Sequence, residues 1–195
     1  MASVDDAHTR AGTGTGASGT RDALLEAGAV VAERDGLASL SVNRVVTEAG
    51  LAKGTFYVHF PDRDAFVSAV HERFYGRVDA AIAVAVGDLP PGPERLRLGT
   101  EAYLDACLVD RAMKALLLEA RAQGASIDLR QAGFADLIEP DLRAMGWRDA
   151  RPAARLLVAM TSEAALTELE AGRPVPAARR SLRRFMRAPG DAKGG

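Results

Sequence analysis

The sequence predicts an all-α fold of about nine helices, and three observations carry that prediction. Hydrophobic residues make up 48% of the 195-residue chain, alanine is abundant, and strand-favouring runs of Val, Ile, Thr and aromatics are scarce. Apolar residues recur at helical spacing along most of the chain. Glycine and proline fall between those periodic stretches, where they end helices and open turns. A chain of this length suits one or two compact units.

Residues 1–19 are mostly Gly, Ser, Thr, Ala and Asp, with no large apolar residue after Val4, so they are expected to form a disordered tail. Gly14, Gly16 and Gly19 have the G-x-G-x-x-G spacing of a phosphate-binding loop. No strand precedes them to supply a rigid sheet edge, so they are assigned to the tail. From Thr20, a plausible N-cap, Leu24, Ala27, Gly28 and Val31 mark a first helix that ends at Gly36. Ser41 caps a second helix, with Leu40 and Val45 placed as a hydrophobic staple, and Gly50 stops it.

Leu51 and Ala52 lead into a short third helix, Lys53 to Phe60. Pro61 closes it and Asp62 caps a fourth, where Phe66, Val70 and Phe74 repeat every four residues. The fourth runs to Val86, because three prolines between 87 and 93 forbid a continuous helix there. Further helices are predicted at 94–109, 111–123, 127–145, 150–171 and 175–188.

Composition narrows the function classes. No run reaches the roughly 18 apolar residues of a membrane span, and no basic cluster with an apolar run opens the chain, so a cytoplasmic protein without a membrane partner is expected. Cys107 is the single cysteine, which rules out an internal disulfide and any zinc site of several thiolates. His8, His59 and His71 are the only histidines, and neither a G-x-S-x-G nor an H-E-x-x-H pattern occurs. No enzyme, catalytic residue, metal or cofactor is therefore expected. The formal charge of −1 excludes a polycation that holds nucleic acid indiscriminately.

Residues 41–63 carry the chemistry. Val42, Val45, Val46 and Ala49 share one face of the second helix, and Phe56 and Phe60 share one face of the third, so both can pack on the first helix. The outer face of the third helix then holds Lys53, Gly54, Thr55, Tyr57, Val58 and His59. These are a cation, hydroxyls, an imidazole, methyl groups and a small residue for close approach, a set suited to phosphates and base edges in a DNA major groove. Asn43 can pair bidentately with adenine, Ser41 and Arg44 lie where a DNA backbone would pass, and Arg63 opens the fourth helix as a phosphate contact. Three cations against two anions leave this stretch a net charge of only +1.

The run Ala49-Gly-Leu-Ala-Lys-Gly-Thr-Phe-Tyr-Val-His-Phe60, followed by Pro-Asp-Arg-Asp-Ala-Phe66, resembles the signature of the tetracycline-repressor (TetR) family over roughly residues 20–75. The resemblance implies a helix-turn-helix DNA-binding domain at 20–66, a helical ligand-binding and dimerisation domain at 67–190, and a short disordered end at 191–195. It also implies a homodimer through the last two helices, a palindromic double-stranded operator, and repression relieved by a small-molecule effector. The alternative is a protein of the same fold that acts through a protein partner without an inducer.

Position by position, Asn43, Lys53, Gly54, Thr55, Tyr57, Val58, His59 and Arg63 fall where the family contacts DNA, and Ser41 at its capping and phosphate-contacting position. Three positions depart from the pattern: Ala52 where Ser or Thr often caps the recognition helix, Ala32 where Phe is common, and Val58 where a larger residue is frequent.

In the second half, residues 150–171 are apolar or small on nearly every side, so that helix is expected to be buried from more than one direction. The last helix places Ala178, Leu182, Phe185 and Met186 on one side, and Arg179, Arg180, Arg183, Arg184 and Arg187 are read as solvated cations around them. Tyr103, Cys107, Phe134 and Ser162 are the pocket candidates, because they bring aromatic, soft and hydroxyl groups to aliphatic helices. Arg121 and Glu163, charges inside apolar stretches, either orient a polar ligand or pair structurally.

Overall fold

A computed structural model describes residues 14–36, 39–109 and 127–187. Those residues form eight helices and no strand: α1 (Gly14–Asp35), α2 (Val42–Ala49), α3 (Lys53–His59), α4 (Arg63–Val86), α5 (Pro93–Val109), α6 (Ile127–Ala144), α7 (Ala150–Ala171) and α8 (Pro176–Phe185). The helix expected at 111–123, and Arg121 with it, lies outside the described residues, as do residues 1–13 and 188–195.

The helix starts follow from the caps. Ser41 has extended backbone and its hydroxyl accepts the Arg44 N–H at 3.3 Å, while the Asp62 carboxylate accepts the Ala65 N–H at 2.7 Å. Leu40 and Val45 are both buried, as a hydrophobic staple requires. Two ends differ from the sequence expectation. Helix α1 starts at Gly14, six residues before Thr20, so Gly14, Gly16 and Gly19 lie in helix and form no phosphate loop. Once the buried Leu24–Val31 segment nucleates the helix, each further residue gains a hydrogen bond, and even glycines can be recruited. Helix α8 ends at Phe185, three residues short of the expected 188.

Helix α1 packs on α2 and α4, and α2 on α3. Helix α4 packs on α5, α5 on α6 and α7, α6 on α7, and α7 on α8. The boundary expected between residues 66 and 67 thus falls inside the unbroken helix α4. At the amino-terminal end Leu24, Val31, Val45, Phe56 and Phe66 are buried together, and Gly28 permits the approach of α1 to α4. A Cβ added at Gly28 would stand 2.5 Å from Phe66 Cζ.

Two buried carboxylates organise the other end. Glu168, fully buried, accepts both Nε and Nη2 of Arg179 at 2.7 Å and the Val175 N–H at 2.9 Å. Asp141 accepts Nε and Nη2 of Arg95 at 2.7 and 2.9 Å and the Gly92 N–H at 2.8 Å. Arg179 therefore corrects the reading of the last helix as a ring of solvated cations. Its guanidinium is turned inward to Glu168, with Nη1 on Asp105 at 2.8 Å.

Helix α7 is enclosed on one side by its own chain. Leu157, Ala164, Ala165 and Leu169 are buried, whereas Leu156 is 66% exposed and Ala159 is exposed. Leu182 on α8 and Met186, the residue that caps its end, are buried, and Phe185 is 59% exposed. Leu182 and Met186 stack at i,i+4, and Phe185 is rotated off that line toward solvent. Among the described residues no helix is long and apolar enough to cross a membrane.

Candidate nucleic-acid interface and an internal cavity

Helices α2 and α3 are set by one tight turn. Gly50 has φ of 66°, a left-handed conformation that favours glycine, and it lets the Leu51 N–H reach the Val46 carbonyl at 2.9 Å. Helix α3 is too short to stand alone and is anchored through Phe56. The Phe56 ring lies 5.5, 5.5 and 5.2 Å from those of Tyr57, Phe60 and Phe66, and the Arg21 guanidinium covers Phe60 at 5.2 Å. Ala52 has the extended backbone of an N-cap but makes no side-chain capping bond. Ala52→Ser is expected to raise the melting temperature, adding about 1 kcal/mol of stability by supplying that bond.

Anchoring one face of α3 turns the other outward. Lys53, Gly54, Tyr57 and Val58 are exposed, Val58 by 80%, and Thr55 and His59 are half-buried beside them. Gly54 is informative. A Cβ there would meet nothing within 4 Å, so the fold does not require glycine, although glycine weakens a helix by about 0.5–1 kcal/mol relative to alanine. The space it keeps open faces outward. Ser41 and Asn43 are exposed on α2.

Arg44 and Arg63 also belong to this surface, but each is held by the domain itself. Arg44 Nη1 donates to Asp35 at 2.9 Å, and Arg63 Nε donates to the Leu40 carbonyl at 2.6 Å. Arg34 joins the same framework through Glu48 at 3.0 Å. These contacts tie α2 to the end of α1 and α4 to the residue before Ser41. Lys53 has no such tether among the described residues.

A cavity of about 450 Å³ lies between α4, α5, α6 and α7. Of the sequence candidates, Tyr103, Phe134 and Ser162 line it, with the Tyr103 and Phe134 rings edge-to-face at 5.7 Å. Cys107 is fully buried behind the wall, where it hydrogen-bonds Tyr103. Burial, with the Cys107 contact, pushes the Tyr103 phenol far above its ordinary value and keeps it neutral. Glu163 is exposed and is not among the residues that line the cavity. Sequence reading missed Thr100 and Thr161, and the Arg95–Asp141 pair that closes one side. Hydroxyls at helical spacing within apolar runs were the available signal for the two threonines.

Residues 24–70 match the family model described as "Bacterial regulatory proteins, tetR family". Over 85 residues the chain is 28% identical to the HTH-type transcriptional regulator EthR of Mycolicibacterium smegmatis. That match covers 43% of this chain and 39% of the relative, so it spans well under half of the curated protein. The backbone resembles a TetR-like transcriptional regulator from Rhodococcus sp. RHA1, with a TM-score of 0.73 and 21% identity, covering 86% of this chain and 93% of that one. It also resembles RolR, solved in complex with resorcinol, with a TM-score of 0.61 and 18% identity, covering 89% and 88% of the two chains. These structural likenesses are of fold.

Proposed function

We propose that this chain, a member of the TetR family of bacterial regulatory proteins, is a homodimeric repressor that binds a palindromic DNA operator and leaves it when a small molecule fills the α4–α7 cavity. The proposal makes it a regulator without enzymatic activity. The observation that carries it is the outward face of α3, where Tyr57 and Val58 stand exposed beside a glycine the fold does not need. Lys53 and Tyr57 would contact phosphates, while Thr55 and Val58 offer methyl groups to thymine. Asn43 would read a base edge and His59 would add a phosphate contact. Ser41, Arg44 and Arg63 hold the helices at the angle that presents those groups.

Amino-terminal residues 20–66 would form the reader and 67–190 the effector and dimer unit, with α4 continuous between them. The exposed Leu156 and Phe185 support a partner subunit against α7 and α8. A two-fold dimer matches a palindrome, each reader taking one half-site. The cavity supports an effector, and the fold-mate RolR was solved with a small aromatic molecule bound. An effector that prefers the conformation unable to span both half-sites would shift the population off DNA.

In vitro selection from random duplexes tests the reading. Tyr57→Ala is expected to weaken binding to the selected site by about 1–3 kcal/mol in a mobility-shift titration at fixed salt. Tyr57 is half exposed, so circular dichroism should show the fold retained. Unchanged affinity would remove α3 from the interface.

A further inference from the structure

The cation in the first turn of α2 reaches the surface already paired. Between residues 34 and 48 the charged residues are Arg34, Asp35, Arg44 and Glu48, and the fold joins all four. Arg44 Nη1 donates to Asp35 Oδ2 at 2.9 Å, and Arg34 Nε donates to the same oxygen at 3.2 Å. Arg34 Nη1 donates to Glu48 Oε2 at 3.0 Å. Two cations and two carboxylates thus make one chain of contacts, from Arg44 through Asp35 and Arg34 to Glu48, with no net charge.

Burial does not account for the arrangement. The side chains of Arg34 and Arg44 are 57% and 52% exposed, and those of Asp35 and Glu48 are 27% and 31% exposed. Ion pairs this open to water add little stability. Their charges are nonetheless felt by any ion that approaches α2. Arg44 has its N–H capped by the exposed Ser41 hydroxyl, on the stretch that a DNA backbone crosses in the proposed reading. A phosphate that takes up Arg44 shares one guanidinium with the Asp35 carboxylate, so two anions come within about 5–7 Å. Like charges at that separation near a protein surface cost about three- to tenfold in affinity.

We propose that Asp35 is an electrostatic brake on DNA binding: its carboxylate, fixed at the end of α1, occupies Arg44 and repels the phosphate that Arg44 would otherwise hold. The inference rests on the reading of α2 and α3 as the DNA-contacting face, and it adds a residue from outside those two helices. Phosphate contacts carry no sequence information, so the brake acts alike on any duplex. It lowers the sequence-independent part of binding and leaves the base contacts of α3 a larger share of the whole.

The test follows the full chain binding a labelled random-sequence duplex and the selected operator by fluorescence anisotropy over a series of salt concentrations. Asp35→Asn keeps an oxygen that accepts from Arg44 and Arg34 but removes the charge. It is expected to melt like the wild type and to bind both duplexes about three- to tenfold tighter at about 0.1 M salt, with the logarithmic salt slope steeper by about one. Asp88→Asn removes the same charge beyond the far end of α4, about 35 Å along that helix from Arg63. Several Debye lengths away, it is expected to leave both affinities within about twofold of the wild type.

Equal or weaker binding by a folded Asp35→Asn protein overturns the inference, as do a gain confined to the selected site and an equal gain from Asp88→Asn. Should Asp35→Asn melt early, Glu48→Gln decides. It releases Arg34 to draw Asp35 away from Arg44, so it is expected to tighten both duplexes by about twofold or more, and unchanged or weaker binding is then the overturning result. No binding of either duplex by any of these proteins removes the regulator reading and the brake together. Binding that Asp35→Asn fails to strengthen removes the brake alone. A gain on the random duplex without any selected site removes the operator and leaves the brake standing.

Discussion

Replacing Glu168 by alanine is expected to destabilise the folded chain by about 3–5 kcal/mol, read as a shift in the urea denaturation curve. Glu168 is fully buried and accepts three hydrogen bonds, two from Arg179 and one from the Val175 N–H that starts α8. Truncating it strands most of a buried guanidinium, because the remaining partner, Asp105, meets it from the solvent side. A loss below about 1 kcal/mol would mean that the pair behaves as a surface ion pair.

The same carboxylate gives a pH signature. Burial acts to raise its proton affinity, but the Arg179 hydrogen bonds and the Val175 N–H outweigh burial and hold it below the ordinary glutamate value. A folded value below the unfolded one means the contribution is complete above the unfolded value of about 4.3 and is lost as pH falls through the folded one. The stability gap between the wild type and Glu168→Gln is therefore expected to narrow below about pH 4.

Phe56→Ala is expected to cost about 3–5 kcal/mol, with the damage concentrated in the amino-terminal helices. Phe56 has no exposure, and its ring touches Tyr57, Phe60 and Phe66. Without it the seven-residue α3 loses its anchor and its outward face loses orientation together. Hydrogen exchange should show protection lost between residues 42 and 60 and kept in α7. Uniform loss along the chain would instead mean that the two ends unfold as one unit. DNA binding would fall in Phe56→Ala through order and in Tyr57→Ala through contact, and exchange protection tells the two apart.

The reader was legible in the sequence because its features are local. Ser41 and Asp62 cap helices three residues away, Gly50 sets its own turn, and Phe56 and Phe60 share a face by spacing alone. The cavity was only partly legible. Tyr103, Phe134 and Ser162 stood out by residue type, but Thr100 and Thr161 belong to the wall because α5 and α7 face each other across it. Buried charges were harder. Glu168 and Arg179 read as one more acid and one more cation on amphipathic helices, and the turn at 172–175 is what brings them together. Glu163, five residues from Glu168, points to solvent, and composition does not separate the two.

Helix α4 has a mechanical consequence of its own. Phe66 near one end is clamped under Gly28, and Val86 at the other lines the cavity. Twenty residues of helix make a rod of about 30 Å at 1.5 Å per residue. A lever of that length turns a tilt of about 6° at the cavity into a displacement of about 3 Å at its amino-terminal end, close to the roughly 3.4 Å step between base pairs of DNA. If the cavity holds an effector as proposed, a guest that parts α4 from its neighbours by a fraction of a side chain's width would move the outward face of α3 by about one base-pair step.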